Sequence, residues 1–238
     1  MLRALESRFE LFGALRAGLG ATLHPFEKAQ DFGRSLLRRW RPSRLARPII
    51  PLILGNADLG RQIYRNRFVL AGHAISGGTA SIFQKLVLEP AFLIDLHGFT
   101  WLAHLEAAGS AMHRAYARTL VLDWLAHQRG LPQEARRSDV AATRLMALVR
   151  HAPFLLKGAG STFEDKFLRL IARETALMAH EPGRIEQALA LAYAVTAFES
   201  TLSFRAQAYE RLELAIAEQI LPDGGHVSRN PATLLHLL

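Results

Sequence analysis

Apolar residues recur at helical spacing through most of the chain. Leu2, Leu5, Phe9, Phe12 and Leu15 share one face of a stretch over 2–19, which predicts an amphipathic helix. Such a face serves either packing on the domain or docking at a membrane surface. A second helix is expected to end near Trp40. RPSRLARPIIP then places Pro42, Pro48 and Pro51 within ten residues. Each proline fixes φ and removes a donor, so this stretch reads as an extended connector.

Residues 56–66 predict a short helix with Asn56 as N-cap. RFVLAGHAISGGTASIF follows, where alternation, Val and Ile favour short strands and Gly72, Gly77 and Gly78 supply turns. From about residue 91 the pattern is helix after helix. Over 110–128, Met112, Tyr116, Leu120 and Trp124 are placed on one face. Ser138 and Asp139 open a helix that runs to about His151, and Ser161 with Glu164 reads as a capping box for a helix to about Met178. Residues 183–200 are apolar nearly all round, which predicts a helix buried on most sides. Residues 204–220 are amphipathic, and Pro222, Asp223, Gly224 and Gly225 stop them.

These starts are roughly 20–28 residues apart, a spacing that suits repeated antiparallel helical hairpins. The expected fold class is all-α: hairpins forming an incomplete α/α toroid, with a β-hairpin-like segment near 67–83. The expected organisation is a basic N-terminal segment and connector over 1–50 and a toroid domain over 51–238. PATLLHLL stops within an apolar helical pattern, from which the toroid domain is expected to be truncated at its C-terminal end.

Composition narrows the chemistry. The chain has 238 residues, half of them apolar and 21% charged, as a globular domain has. It has no cysteine, which excludes disulfides, thiolate metal sites and a cysteine nucleophile. Glu6, Arg8 and Glu10 interrupt what would be the apolar core of a secretory signal. The net charge is +8, and residues 1–50 hold +6 of it. The cluster Arg34, Arg38, Arg39, Arg41, Arg44 and Arg47 attracts polyanions of any kind. A phosphate loop, a dinucleotide fingerprint and an HExxH motif are absent from the sequence. His104 and His113 lack metal-ligand spacing and are read as surface residues.

Three polar clusters are candidates for chemistry. LHGFTWLAHL sets His97 beside Phe99 and Trp101; the rings suit either a sugar face or the core. Asp139, Arg144, Arg150, His151 and Lys157 lie on or just after one helix. Arg144, His151 and their neighbours either pair with carboxylates and sulfates or form a solvated face. EQILPDGGHVSRNP concentrates Asp223, His226, Ser228, Arg229 and Asn230 after a helix stop. A loop held by a rigid scaffold is a usual place for binding groups. The same residues also read as one helix end and the next helix start, with Asn230 as N-cap and Pro231 first.

RNRFVLAGH, AFLIDLHGFTWLAHL, LVLDWLAHQRG, RSDVAATRLMALVRHAPFLL, FLRLIARETALMA and AEQILPDGGHVSRNP, in this order, resemble the N-terminal half of bacterial heparinase II/III family proteins. The resemblance covers roughly residues 50–238, and EQILPDGGH is its most specific string. It implies an incomplete α/α toroid followed by a β-sandwich beyond residue 238, with a substrate cleft between them. It implies a lyase for uronic-acid polysaccharides, in which a base removes the C5 proton, an acid protonates the leaving oxygen and an Asn, Gln, Arg or His neutralises the carboxylate.

By position, His226 and Arg229 are the catalytic candidates, and His97, Trp101, Arg144, His151 and Asn230 the substrate-binding ones. The sequence departs from the family at two places. Thr233 stands where the family's Tyr is expected, with His236 out of step. The family's Asn-His pair has no counterpart, and Arg184 and Gln187 are the nearest polar residues. The expected partner is an acidic polysaccharide, with an anionic membrane surface as a second for residues 1–50 and no specific nucleic acid. No cofactor or metal is expected, and the resemblance points to the cell envelope. The alternative to a lyase is a non-catalytic helical module that binds polysaccharide or envelope.

Overall fold

A computed structural model describes residues 40–50, 54–78, 80–85, 89–180, 183–200 and 202–231. The helices expected over 2–19 and before Trp40, and the apolar end after Pro231, lie outside the described residues.

Helix α1 (Ala57–Tyr64) begins where Asn56 caps it, its Oδ1 accepting from the N–H groups of Asp58 and Leu59. The hairpin of β1 (Arg67–Leu70) and β2 (His73–Ser76) follows, antiparallel, with Phe68 opposite Ile75. Its turn places both Ala71 (φ 47°) and Gly72 (φ 79°) in the left-handed region, which suits the right-handed twist of a two-residue hairpin. Then come α2 (Pro90–His97), α3 (Trp101–Ala108), α4 (Ala111–Ala126), the short α5 (Gln133–Arg136), α6 (Ser138–Arg150), α7 (Ala152–Leu156), α8 (Ser161–His180), α9 (Ile185–Ala197) and α10 (Leu202–Gln219).

Helix α6 packs on α8 and α9, and α9 also packs on α10. Short links make α8, α9 and α10 successive antiparallel neighbours. The fold class is the expected one, helical hairpins with one small β-hairpin. The central pair α6 and α9 is buried nearly all round, as the apolar run over 183–200 predicts. Among the described residues no helix is long and apolar enough to cross a membrane.

Helices α1 and α3 touch backbone to backbone. A Cβ on Gly60 would stand 2.0 Å from the carbonyl oxygen of His104, so only glycine fits there. The core is aromatic around α2, α3 and α4: Phe92, Phe99, Trp101 and Trp124 are all fully buried. Burying each such ring contributes about 1.5–3 kcal/mol.

Three local expectations shift. Met112 is 61% exposed, and the buried stripe of α4 is Ala117, Leu120, Val121 and Trp124; the helix turns Met112 away before the core begins. Ser161 is the first residue of α8 rather than its cap, and the Gly160 carbonyl accepts from Phe163 and Glu164. The proline-rich connector is non-helical, as expected, but it is fastened to the domain. Trp40 is buried and donates from Nε1 to the Glu199 carbonyl at 2.9 Å. Ala46 and Arg47 donate to the Ala197 carbonyl at 2.7 and 2.9 Å, and Ser43 and Arg44 both reach the Glu199 carboxylate.

Candidate functional site

The seven residues singled out from the sequence fall into three places. His97, Trp101 and Arg144 come together, but inside the core, at 0, 0 and 4% exposure. A sugar platform needs an open ring face, and neither His97 nor Trp101 offers one. Trp101 Nε1 donates to the Leu96 carbonyl at 3.0 Å, across the bend where Phe99 takes a φ of 60°. Arg144 donates to the carbonyl of His97 at 3.0 Å and of Ala135 at 3.2 Å, and its ε nitrogen and other terminal nitrogen meet the Glu174 carboxylate. Its guanidinium lies 4.6 Å from the centre of the Trp124 ring. Trp124 in turn donates to His97 Nδ1 at 3.1 Å. One buried cation thereby ties α2, α5, α6 and α8.

Burial, reinforced by the Arg144 charge, lowers the His97 pKa from 6.5 to about 4. The ring is therefore neutral at pH 7. With Nδ1 accepting, the proton is assigned to Nε2, which is buried without a hydrogen-bond partner.

His151 is the second place. It caps α6, is buried, and its Nδ1 pairs with the Glu106 carboxylate. His104 is half-buried rather than a surface residue, and its Nδ1 accepts from Asn56 N–H at 3.0 Å. Burial and then the nearby His151 hold the His104 pKa below the ordinary imidazole value. His113 is half-buried too, with Nδ1 2.6 Å from Ser110 Oγ.

The third place is the loop after α10, which holds His226, Arg229 and Asn230. Ile220 and His226 form an antiparallel bridge, with Val227 N–H on the Gln219 carbonyl at 2.8 Å. Gly224 turns at φ 82° and Arg229 at φ 55°. Asp223 accepts from Gly225 N–H at 2.9 Å and from the Arg229 guanidinium at 2.6 Å. These bonds, the backbone one first, hold its carboxyl below the usual carboxylate range. Ser228 N–H donates to His226 Nδ1 at 3.1 Å, and Ser228 Oγ lies 2.8 Å from that nitrogen. His226 Nε2 therefore carries the proton of the neutral ring, and it is buried without a hydrogen-bond partner. Arg229 is open, its side chain 67% exposed. Asn230 precedes Pro231, the first helical residue, as an N-cap would. Among the described residues no three His, Asp or Glu side chains converge as a metal site.

Sequence reading missed Glu174, Trp124 and Glu106. Glu174 had a signal. It falls on the apolar stripe of α8 with Phe167, Ile171 and Met178, and a carboxylate on a buried stripe requires a buried cation.

A helical array with an ordered, cation-bearing loop at its C-terminal side is the class of structure described so far. No protein-family model and no curated protein matches the chain. Solved structures do. Heparan sulfate lyase HepC from Pedobacter heparinus overlays with a TM-score of 0.61 at 13% identity, over 89% of this chain and 37% of that one. A mutant of the same lyase gives 0.60 at 14% identity over the same shares. Heparinase III gives 0.57 at 17% identity, over 86% of this chain and 38% of that one. The chain thus has the helical fold found in these lyases and spans little more than a third of their length.

Proposed function

We propose that this chain is the helical part of a polysaccharide lyase that cleaves an acidic, uronic-acid-containing polymer by β-elimination. The overlay on heparan sulfate lyase across 89% of the chain carries the reading. In it the loop Leu221–Asn230 faces substrate. Arg229 exchanges its Asp223 partner for the uronate carboxylate and neutralises the charge that grows there when the C5 proton leaves. His226 is the proton-transfer group: once the loop yields and frees Nδ1 from Ser228, that unprotonated nitrogen takes the C5 proton, and the imidazolium so formed gives a proton to the leaving glycosidic oxygen. Asn230 adds a polar contact at the helix start. His97, Trp101, Arg144 and His151 support the fold behind the loop instead of touching substrate, because burial denies them access.

The non-catalytic alternative has two observations in its favour: Thr233 stands where the family's Tyr is expected, and the family's Asn-His pair has no counterpart. The two readings separate on one assay. The full gene product is incubated with a panel of uronic-acid polysaccharides, and the absorbance of the new C4–C5 double bond is followed. A rise on one polymer, falling at least about 100-fold in Arg229→Ala and His226→Ala, supports the lyase. Binding to a polymer with no rise on any supports the module. A lyase rate unchanged in both variants removes the loop from the site.

A further inference from the structure

A second cationic surface is built from other elements than that loop. Helices α4 and α8 bound an open hollow whose floor is Leu122, Leu125 and Leu170 and whose rim is Lys166, Arg169 and Arg173. The three cations sit at i, i+3 and i+7 of α8, so they share one face and span about 10 Å along it. All three are exposed. Lys166 has no ion-pair partner among the described residues, and Arg169 has only Asp165, 3.8 Å away and itself exposed. A second hollow, with Arg129 on its wall, adjoins the first and shares Ala126 with it. The result is a track of positive charge across the turn that ends α4.

Resting on the lyase reading, we propose that this track is an accessory binding site for a sulfated or carboxylated polysaccharide chain, separate from the loop Leu221–Asn230. The extended row of cations fits a polymer better than a single small anion. No phenyl, phenol or indole ring lines either hollow, so the stacking platform that single-stranded nucleic acid uses is missing. The leucines form a recessed floor and do not project, which disfavours insertion into a membrane. Arg169 has the planar fork that grips carboxylate and sulfate in pairs, while Arg173, held by Gln128 and Glu174, adds its charge to the rim.

The test is binding of the full gene product to immobilised heparan sulfate, measured against salt. Lys166→Ala with Arg169→Ala removes two exposed charges and leaves Arg173 on Trp124 and Glu174. The expected result is about a tenfold weaker Kd and a shallower salt slope. Arg65→Ala with Arg67→Ala removes the same charge from two exposed arginines that line neither hollow, at the end of α1 and the start of β1, and is expected to change little. An equal loss in that control shows net charge alone and overturns the track. Tighter binding to single-stranded DNA or to phosphatidylserine vesicles through Lys166 and Arg169 also overturns it. Loss in Arg229→Ala without loss in the Lys166 and Arg169 variant overturns the track and leaves the loop reading standing. Failure of the wild type to bind any uronate polymer ends both.

Discussion

Glu174 anchors the buried polar cluster, since among the described residues it is the only carboxylate on Arg144. Removing one partner of a buried pair leaves the other uncompensated. Glu174→Ala is therefore expected to lower the unfolding free energy by about 3–5 kcal/mol in urea titrations. Replacing both Arg144 and Glu174 by apolar residues of similar volume is expected to cost much less than either single change. His97 gives a pH signature. Its folded pKa is about 4 and its unfolded value 6.5. The unfolded chain takes up the proton first, so the stability linked to His97 is full above pH 6.5 and is lost as pH falls toward 4. The loss amounts to about 3 kcal/mol at most. His97→Phe, followed by urea unfolding between those pH values, should flatten that part of the profile. The polar types at 97, 144 and 151 were legible in the sequence; their burial was not. A histidine or arginine reads alike on a wet face and in a core until its partner, here Trp124, Glu174 or Glu106, is known.

The elements themselves were largely legible, because period and caps are local. Asn56 caps α1 as predicted, and the glycine at 72 turns the hairpin. What stayed hidden was long-range. Nothing local to RPSRLARPIIP says that it will lie across the end of α9, since its bonds go to Ala197 and Glu199. The attachment makes a graded prediction. Trp40→Ala empties a buried ring site and should cost about 3–5 kcal/mol. Glu199→Ala removes only exposed contacts to Ser43 and Arg44 and should cost far less. Thermal unfolding of the two variants side by side tests the order. Gly60→Ala should loosen α1 from α3, because its Cβ meets the His104 carbonyl. Proteolysis near Gly55, faster than in the parent chain, would report it.

At the scale of the molecule, cations gather on two different elements, the loop after α10 and one face of α8. The helical array overlays lyases of heparan sulfate and matches little more than a third of their length. The order of segments revealed the fold in the sequence even at 13% identity to the overlaid lyase, because helix spacing outlasts side-chain identity. The buried partners of His97, Arg144 and His151 were less legible, since Trp124, Glu174 and Glu106 come from distant parts of the chain.

The central claim is elimination, and the products decide it. The full gene product is digested against heparan sulfate and other uronate polymers, and the fragments are weighed by mass spectrometry. The account predicts pairs of new ends whose masses sum to the parent with no water added, the mark of a double bond at the uronate. Fragments heavier by one water would mean hydrolysis and would contradict it.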